Sequence, residues 1–361
     1  DAFTGVTAVE VSISSGPNYT TGWNGTGWSS TGPWVTAVGP GPWSYTVVPS
    51  WVDAATYIIR ARARDLAGNV QAAWTVGSSS VSFTFDNVPP QSSVTTPGPA
   101  AWISTLASVS GTASDSVGVS TVQVSMKTSV LYWDPVGLWQ LGGEKWYNAT
   151  SINPWTAVVP ALTNGDQYEL RSRATDFAGN GSTVFSTRTF QFDNEVPTSS
   201  ATAPGRENVY AALTTISGTS NDAFSGVGLV ELSVRDLHSG QYWDGGVAFQ
   251  NAGETFIPLA STNPWTYASI AAGKYTSGHK YLVNTRARDN SAPANVQTGL
   301  LPSATFTWDT SAPLSAVTTP QNGLFYKPLS VLGGTAADKP DIISSSGTNN
   351  AGISVVQVEL K

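Results

Sequence analysis

The residues of this 361-residue chain best suited to chemistry are carboxylates and carboxamides set at regular intervals. Asp65 and Asn69 bracket one turn, Asp65-Leu-Ala-Gly-Asn69, and Asp176 and Asn180 bracket another, Asp176-Phe-Ala-Gly-Asn180. Asp86, Asp193 and Asp309 close Phe-x-Phe/Trp-Asp runs, and Asp115, Asp222 and Asp338 follow Gly-Thr pairs. Oxygen donors of this kind suit calcium, a hard cation that takes about six to eight oxygen ligands. The same residues are also turn formers. Asp and Asn bond their own backbone, and Gly supplies positive φ. One departure stands out: Asp289 is followed by Asn290-Ser-Ala-Pro-Ala-Asn295, which has lost the glycine, so a site there has weaker support.

Other chemistries find little footing. The two histidines, His238 and His279, have no counterparts at repeat positions and read as a loop residue and a strand-start residue. No nucleophile motif, P-loop or zinc signature accompanies them, so an enzyme is not expected. The chain has no cysteine, which excludes disulfides and thiolate zinc sites. Its net charge of −7 lacks the basic stripe that nucleic-acid binding needs. No apolar run approaches ~18 residues, so no transmembrane helix is expected. No signal peptide is visible, and Asp1 opens in mid-pattern, so any targeting segment is expected upstream.

These residues recur because the segments holding them recur. Tyr57 to Asn69, Tyr168 to Asn180 and Tyr281 to Asn295 are copies, with Asp65, Asp176 and Asp289 spaced 111 (176 − 65) and 113 (289 − 176) residues apart. Each copy alternates with period two. Tyr57, Ile59, Ala61 and Ala63 fall on one side, and Ile58, Arg60, Arg62 and Arg64 on the other. That is a strand with one buried face. Alternating runs at Val6–Ile13, Val119–Met126, Val227–Val234 and Ile353–Leu360 predict a second strand type. It carries Glu10, Gln123 and Glu231 and is expected to lie beside the arginine-rich strand, pairing across it. Trp43, Trp155 and Trp265 occupy matching Pro-Trp steps, placed to fill the core over small inward residues. No segment has a convincing helical period. An all-β chain of tandem β-sandwiches, about 110 residues each, follows.

The run Tyr-x-Leu-Arg-Ala-Arg-Ala-x-Asp-x-Ala-Gly-Asn resembles the bacterial immunoglobulin-like repeats of large cell-surface adhesins and extracellular filaments. The tryptophan hairpins do so too: Trp23-Asn-Gly-Thr-Gly-Trp28, Tyr132-Trp133-Asp134 to Trp139, and Tyr242-Trp243-Asp244. The resemblance implies immunoglobulin-like sandwiches in a rod, a structural stalk or filament segment outside the cell, and calcium near the domain junctions. The expected domains are 1–87 (later strands only), 88–195, 196–311 and 312–361 (first strands only). The expected ligands are Asp65, Asn69, Asp86, Asp115, Asp176, Asn180, Asp193 and Asp222. The alternative is an adhesin module that binds glycans, for which Trp28, Trp34 and Trp51 offer the richest aromatic stretch.

Junctions in the chain are short and hold proline, as at Pro89-Pro90, which stiffens a connection. Neighbouring repeats, or further copies of the chain, are the expected partners. One form is head-to-tail joining, in which the first strands of one copy complete the later strands of another; lateral contact is a second, and the simpler reading of the partial end repeats is a window on a longer repetitive polypeptide.

Overall fold

The computed structural model describes residues 5–16, 19–30, 32–268, 270–299, 304–338, 343–344, 347–348 and 355–359. Among the described residues its named elements are β-strands and a 3₁₀ turn at Ala272–Lys274. The chain divides into two compact units. One comprises Asp1–Pro99, Leu106–Ala161 and Gln167–Thr189, and the other Ala100–Thr105, Leu162–Asp166 and Phe190–Lys361.

The first unit opens with β1 (Val6–Ser15), β2 (Thr21–Trp23), β3 (Trp28–Ser29), β4 (Val35–Thr36), β5 (Thr56–Asp65) and β6 (Ser80–Thr84). They form one sheet in the order β3-β2-β1-β5-β6, with β4 also on β1. A full sandwich follows. Within this unit it contains β7 (Gln91–Thr96), β9 (Val109–Ser114), β10 (Val119–Lys127), β11 (Tyr132–Asp134), β12 (Leu138–Gln140), β13 (Tyr147–Asn148), β14 (Trp155–Ala157), β15 (Gln167–Asp176) and the start of β16 (Ser186–Phe192), whereas β8 (Trp102–Ile103) and the end of β16 fall in segments of the other unit. One of its sheets is β14-β9-β7, and the other runs β12-β11-β10-β15-β16.

The second unit holds the next copy. Its strands are β17 (Thr198–Ala203), β18 (Asn208–Tyr210), β19 (Ile216–Asn221), β20 (Val227–Asp236), β21 (Tyr242–Trp243), β22 (Phe249–Asn251), β23 (Ile257–Pro258), β24 (Trp265–Tyr267), β25 (Lys280–Asp289) and β26 (Ala304–Trp308). The sheets are β17-β19-β24 and β18-β26-β25-β20-β21-β22. The chain visits the second sheet briefly at β18, crosses to it between β19 and β20, returns between β23 and β24, and crosses again between β24 and β25. These crossings give the immunoglobulin arrangement, an A-B-E sheet against a C-F-G sheet. A hairpin of β27 (Leu314–Thr319) and β28 (Gly333–Ala337) repeats the first two strands of the pattern. Short strands β29 (Ile343–Ser344) and β30 (Gly347–Thr348) pair beyond it. The strand expected at Ile353–Leu360 does not form over 355–359, while Ile353, Ser354 and Leu360 lie outside the described residues.

The alternation is borne out most clearly in β15, where Tyr168, Leu170, Ser172, Ala174 and Asp176 are buried and the residues between them are not. The arginine strand lies beside the valine strand in each repeat, with Glu10 opposite Arg62, Gln123 opposite Arg173 and Glu231 opposite Arg286. Arg62 Nε donates to Glu10 at 2.8 Å, Arg173 Nε to Gln123 Oε1 at 2.9 Å, and Arg286 Nε to Glu231 at 2.6 Å. The Arg286 guanidinium, aided by Arg288, holds the Glu231 carboxyl below its usual range despite burial.

Trp155 and Trp265 are fully buried, and each indole N–H donates to a backbone carbonyl, of Thr112 and Thr219 respectively, at 3.2 Å. Trp43 departs from this pattern and is exposed. Among the described residues, no strand equivalent to β9 lies beside it to form the wall of a pocket. The leading tyrosines close a corner. The Tyr57 hydroxyl accepts from Val52 N at 3.0 Å, and that of Tyr281 from Thr276 N at 2.8 Å, each five residues upstream. Tyr281→Phe removes the acceptor and leaves the Thr276 N–H unpaired. A loss of about 1–3 kcal/mol is expected in urea unfolding of this repeat.

Candidate metal centre

The recurring aspartates converge. Asp86, just past β6, Asp115 in the loop after β9, and Asp176 at the end of β15 place one carboxylate oxygen each within 4.8 Å of one another. Asp193, Asp222 and Asp289 do the same in the second unit. The three contributors are a residue that follows the last strand of one repeat, a loop residue of the next, and the end of that next repeat's arginine strand. Strand ends gather there because β10 and β15 are paired from Val119 opposite Asp176 onward, and β20 and β25 from Val227 opposite Asp289.

Each carboxylate has local work. Asp115 Oδ1 accepts from Val117 N and Gly118 N at 2.8 and 3.0 Å, and Asp222 Oδ1 from Phe224 N and Gly226 N at 3.1 and 2.8 Å. This is turn capping. It accounts for one oxygen only. Asp86 Oδ2, Asp115 Oδ2 and Asp222 Oδ2 are shielded from water and have no hydrogen-bond donor. A buried, unpaired carboxylate oxygen is costly. Turn chemistry alone does not explain it, and these oxygens are of the type that an oxygen-seeking cation would take.

Asn180 fixes the third carboxylate. Its backbone N–H donates to Asp176 Oδ1 at 2.8 Å, and its Nδ2 donates to Asp176 Oδ2 at 2.7 Å and to the Asp86 carbonyl at 3.2 Å. Asn295 reproduces all three contacts, to Asp289 Oδ1 at 2.8 Å, to Asp289 Oδ2 at 2.6 Å and to the Asp193 carbonyl at 2.9 Å. The longer loop without the glycine therefore delivers the same asparagine. Asp65 and Asn69 form the same local pair, at 2.7 and 2.6 Å. Asp1, which the repeat register aligns with Asp222, lies outside the described residues.

The electrostatics follow from crowding. Burial pushes the Asp86 carboxyl up, and the charges of Asp176, Asp115 and Asp53 push it further, against a bond from Val88 N that lowers it. Burial also acts upward on Asp176, but the bonds from Asn180 and from the Gly179 and Ala178 N–H groups outweigh it and hold this carboxyl low. Among the described residues, no lysine or arginine forms an ion pair with any of the six aspartates. The donors are all oxygens, which fits calcium and not a thiolate- or imidazole-seeking metal.

Two contributors escape a motif reading. Asp289 belongs to the second cluster, and its 113-residue spacing from Asp176 was the signal that could have found it. Asp53 braces the first cluster from outside. Its Oδ1 accepts from Asn87 N at 3.1 Å and its Oδ2 from Ser116 Oγ at 2.9 Å. No motif marks it.

The three candidate ligand-binding tryptophans occupy repeat positions. Trp28 pairs with Trp23 across a hairpin and stacks on Tyr57 at 5.8 Å. Trp139 and Phe249 sit likewise near Tyr168 and Tyr281, at 5.7 and 5.2 Å. Trp34 lies 4.1 Å from the Arg62 guanidinium and stacks on Trp74. Trp146 over Arg173 and Phe256 over Arg286 repeat the contact at 4.2 and 3.8 Å. Trp51 packs edge-on to Tyr57 and Phe83.

Fold and site together define a chain of immunoglobulin-like β-sandwiches with an acidic cluster after each of two successive repeats. Three solved structures are among those to which the chain is similar. Fibronectin(III)-like modules of Clostridium thermocellum CbhA share 14% identity, over 61% of this chain and 94% of theirs, with a TM-score of 0.30. A tetra-tandem repeat from the extending region of a large adhesion protein shares 18%, over 88% of this chain and 70% of that one, at 0.29. A bacterial ice-binding adhesin of 1.5 MDa shares 13%, over 84% and 87%, at 0.28. No family model matches the chain, and no curated protein does.

Proposed function

We propose that this chain is a spacer segment of an extracellular surface protein or filament, built of immunoglobulin-like repeats whose junctions are tied by calcium. The observation that carries the reading is the double occurrence of one trio, Asp86-Asp115-Asp176 and Asp193-Asp222-Asp289. One aspartate in each trio follows the last strand of a repeat, and two belong to the repeat after it. Motifs that merely cap turns have no need to meet.

When bound, calcium supplies the positive charge that each trio lacks. Asp86, Asp115 and Asp176 would hold it in the first cluster, with Asn180 orienting Asp176 and bonding the Asp86 carbonyl. A cation shared by both repeats removes the freedom of the connection between them, which proline at 89 and 90 already restricts. Stiffness is what a spacer needs, and a segment of this kind has neighbouring repeats as its partners. The extracellular placement draws on a surface rich in hydroxyls and poor in charge, at 11% Asp, Glu, Lys and Arg. Glycan capture by Trp28, Trp34 and Trp51 draws less support, because each ring already packs on other side chains.

Small-angle scattering tests the mechanical part. Adding calcium to the chelated chain is expected to lengthen and narrow its distance distribution. The double variant Asp86→Asn, Asp193→Asn should not respond. Identical curves with and without calcium for the unsubstituted chain would overturn the proposal.

A further inference from the structure

The chain's two histidines lie 41 residues apart in sequence (279 − 238), yet their rings stand with centroids 4.4 Å apart. Neither repeats. The positions of Asp236 and His279 hold Ser15 and Ala55 in the first repeat and Thr128 and Asp166 in the second. The pairing is therefore a property of this one sandwich and not of the repeat.

His279 is buried at 7% exposure, and its Nδ1 lies 2.8 Å from Asp236 Oδ2. Asp236 is itself 4% exposed, and its Oδ1 accepts from His238 N and Ser239 N at 2.8 and 3.3 Å. An ionised carboxylate only accepts, so Nδ1 carries the proton and donates it to Asp236. In the neutral imidazole, the form that binds a metal, the lone pair then sits on Nε2. That atom is out of reach of water and has no partner. A buried imidazole with a carboxylate behind one nitrogen and a free lone pair on the other is how proteins orient a metal-binding histidine. The second nitrogen donor is close at hand. His238 is exposed on the turn after β20, so its ring can swing while the strands stay fixed.

We propose that His279 and His238 form a two-imidazole site for a borderline divalent metal ion of the Zn2+ or Cu2+ class, with Asp236 as the positioning residue and water in the remaining coordination places. Imidazole suits these ions and not calcium, which seeks oxygen. The site lies at the end of β20 and start of β25, whereas Asp222 and Asp289 mark the other end of the same strand pair. The inference therefore stands or falls independently of the calcium reading.

The test uses the whole chain without an affinity tag, in excess calcium so that the acidic clusters do not compete. Zinc is titrated by calorimetry, and copper is read by electron paramagnetic resonance. One zinc per chain is expected, with two nitrogen donors in the copper spectrum. His238→Ala, a change on an exposed turn, should weaken zinc by tenfold or more and leave one nitrogen. Asp236→Asn should weaken it by about ten- to a hundredfold, with both nitrogens retained. Zinc affinity unchanged in His238→Ala, or no nitrogen coupling in the unsubstituted chain, overturns the proposal.

Discussion

Replacing Trp265 with alanine is expected to destabilise the third repeat, the sandwich of β17 to β26, by about 3–5 kcal/mol. The indole is fully buried between the two sheets, and its loss opens a cavity that the rigid strands around it cannot close. The floor beneath the ring makes a sharper test. A Cβ at Gly218 would lie 2.0 Å from the Ser200 carbonyl and 2.2 Å from Trp265 Cζ2. Neither approach is tolerable, and the Ser200 contact is to backbone. Gly218→Ala should therefore cost about 1–3 kcal/mol or more by overpacking. The double variant should fall short of the sum, because removing the indole relieves one of the two clashes. Circular dichroism during urea unfolding reads each change as an earlier transition for this repeat, with the other repeats unmoved. Gly111 and Trp155 form the same pair in the second sandwich, where a Cβ would meet the Ser93 carbonyl at 1.8 Å. The same pattern is expected there.

Calcium should reverse the pH dependence that Asp86 contributes to the first cluster. Without metal, the Asp86 carboxyl is raised by burial and by its acidic neighbours. Its folded pKa then exceeds its unfolded one. The favourable contribution is complete at low pH and is lost as pH rises through the folded value. The chelated chain should therefore gain stability from this group as the solution is acidified from neutrality into the carboxylate range. With calcium present the carboxylates must be ionised to bind, so the stabilisation should grow with pH over the same window. Excess metal at about a hundred times its dissociation constant adds about 2.7 kcal/mol per site. Thermal unfolding across pH, in calcium and in chelator, should show curves that converge on the acid side and separate at neutrality. Asp86→Asn should remove this contribution from the chelated profile and leave the opposite one of Asp176, whose carboxyl is held low and stabilises as pH rises.

The repeat, the strand alternation and the arginine–glutamate pairing were all readable from spacing, because side-chain direction in a strand has period two and copies reinforce one another. Val119 to Asp176 in β10 and β15 lies as the pattern implies. The candidate ligands were readable one at a time, as turn residues. Their meeting was not, because it depends on how the chain leaves one sandwich and enters the next. Asn295 shows the limit of motif reading: the sequence around it changed, and the three bonds stayed. Trp43 shows the converse, a motif conserved in spelling whose burial depends on a partner strand. The histidine pair was beyond reach for a third reason. Singletons carry no period, and only the pairing of β20 with β25 brings residue 236 beside residue 279.

Calorimetric titration of the chelated chain with calcium is the most direct test of junctions tied by metal. The two trios predict two ions per chain. Asp176→Asn should abolish one of them and leave the second, held by Asp193, Asp222 and Asp289, at its original affinity. Heats too small to saturate, or an unchanged stoichiometry in the Asp176→Asn chain, would contradict the account.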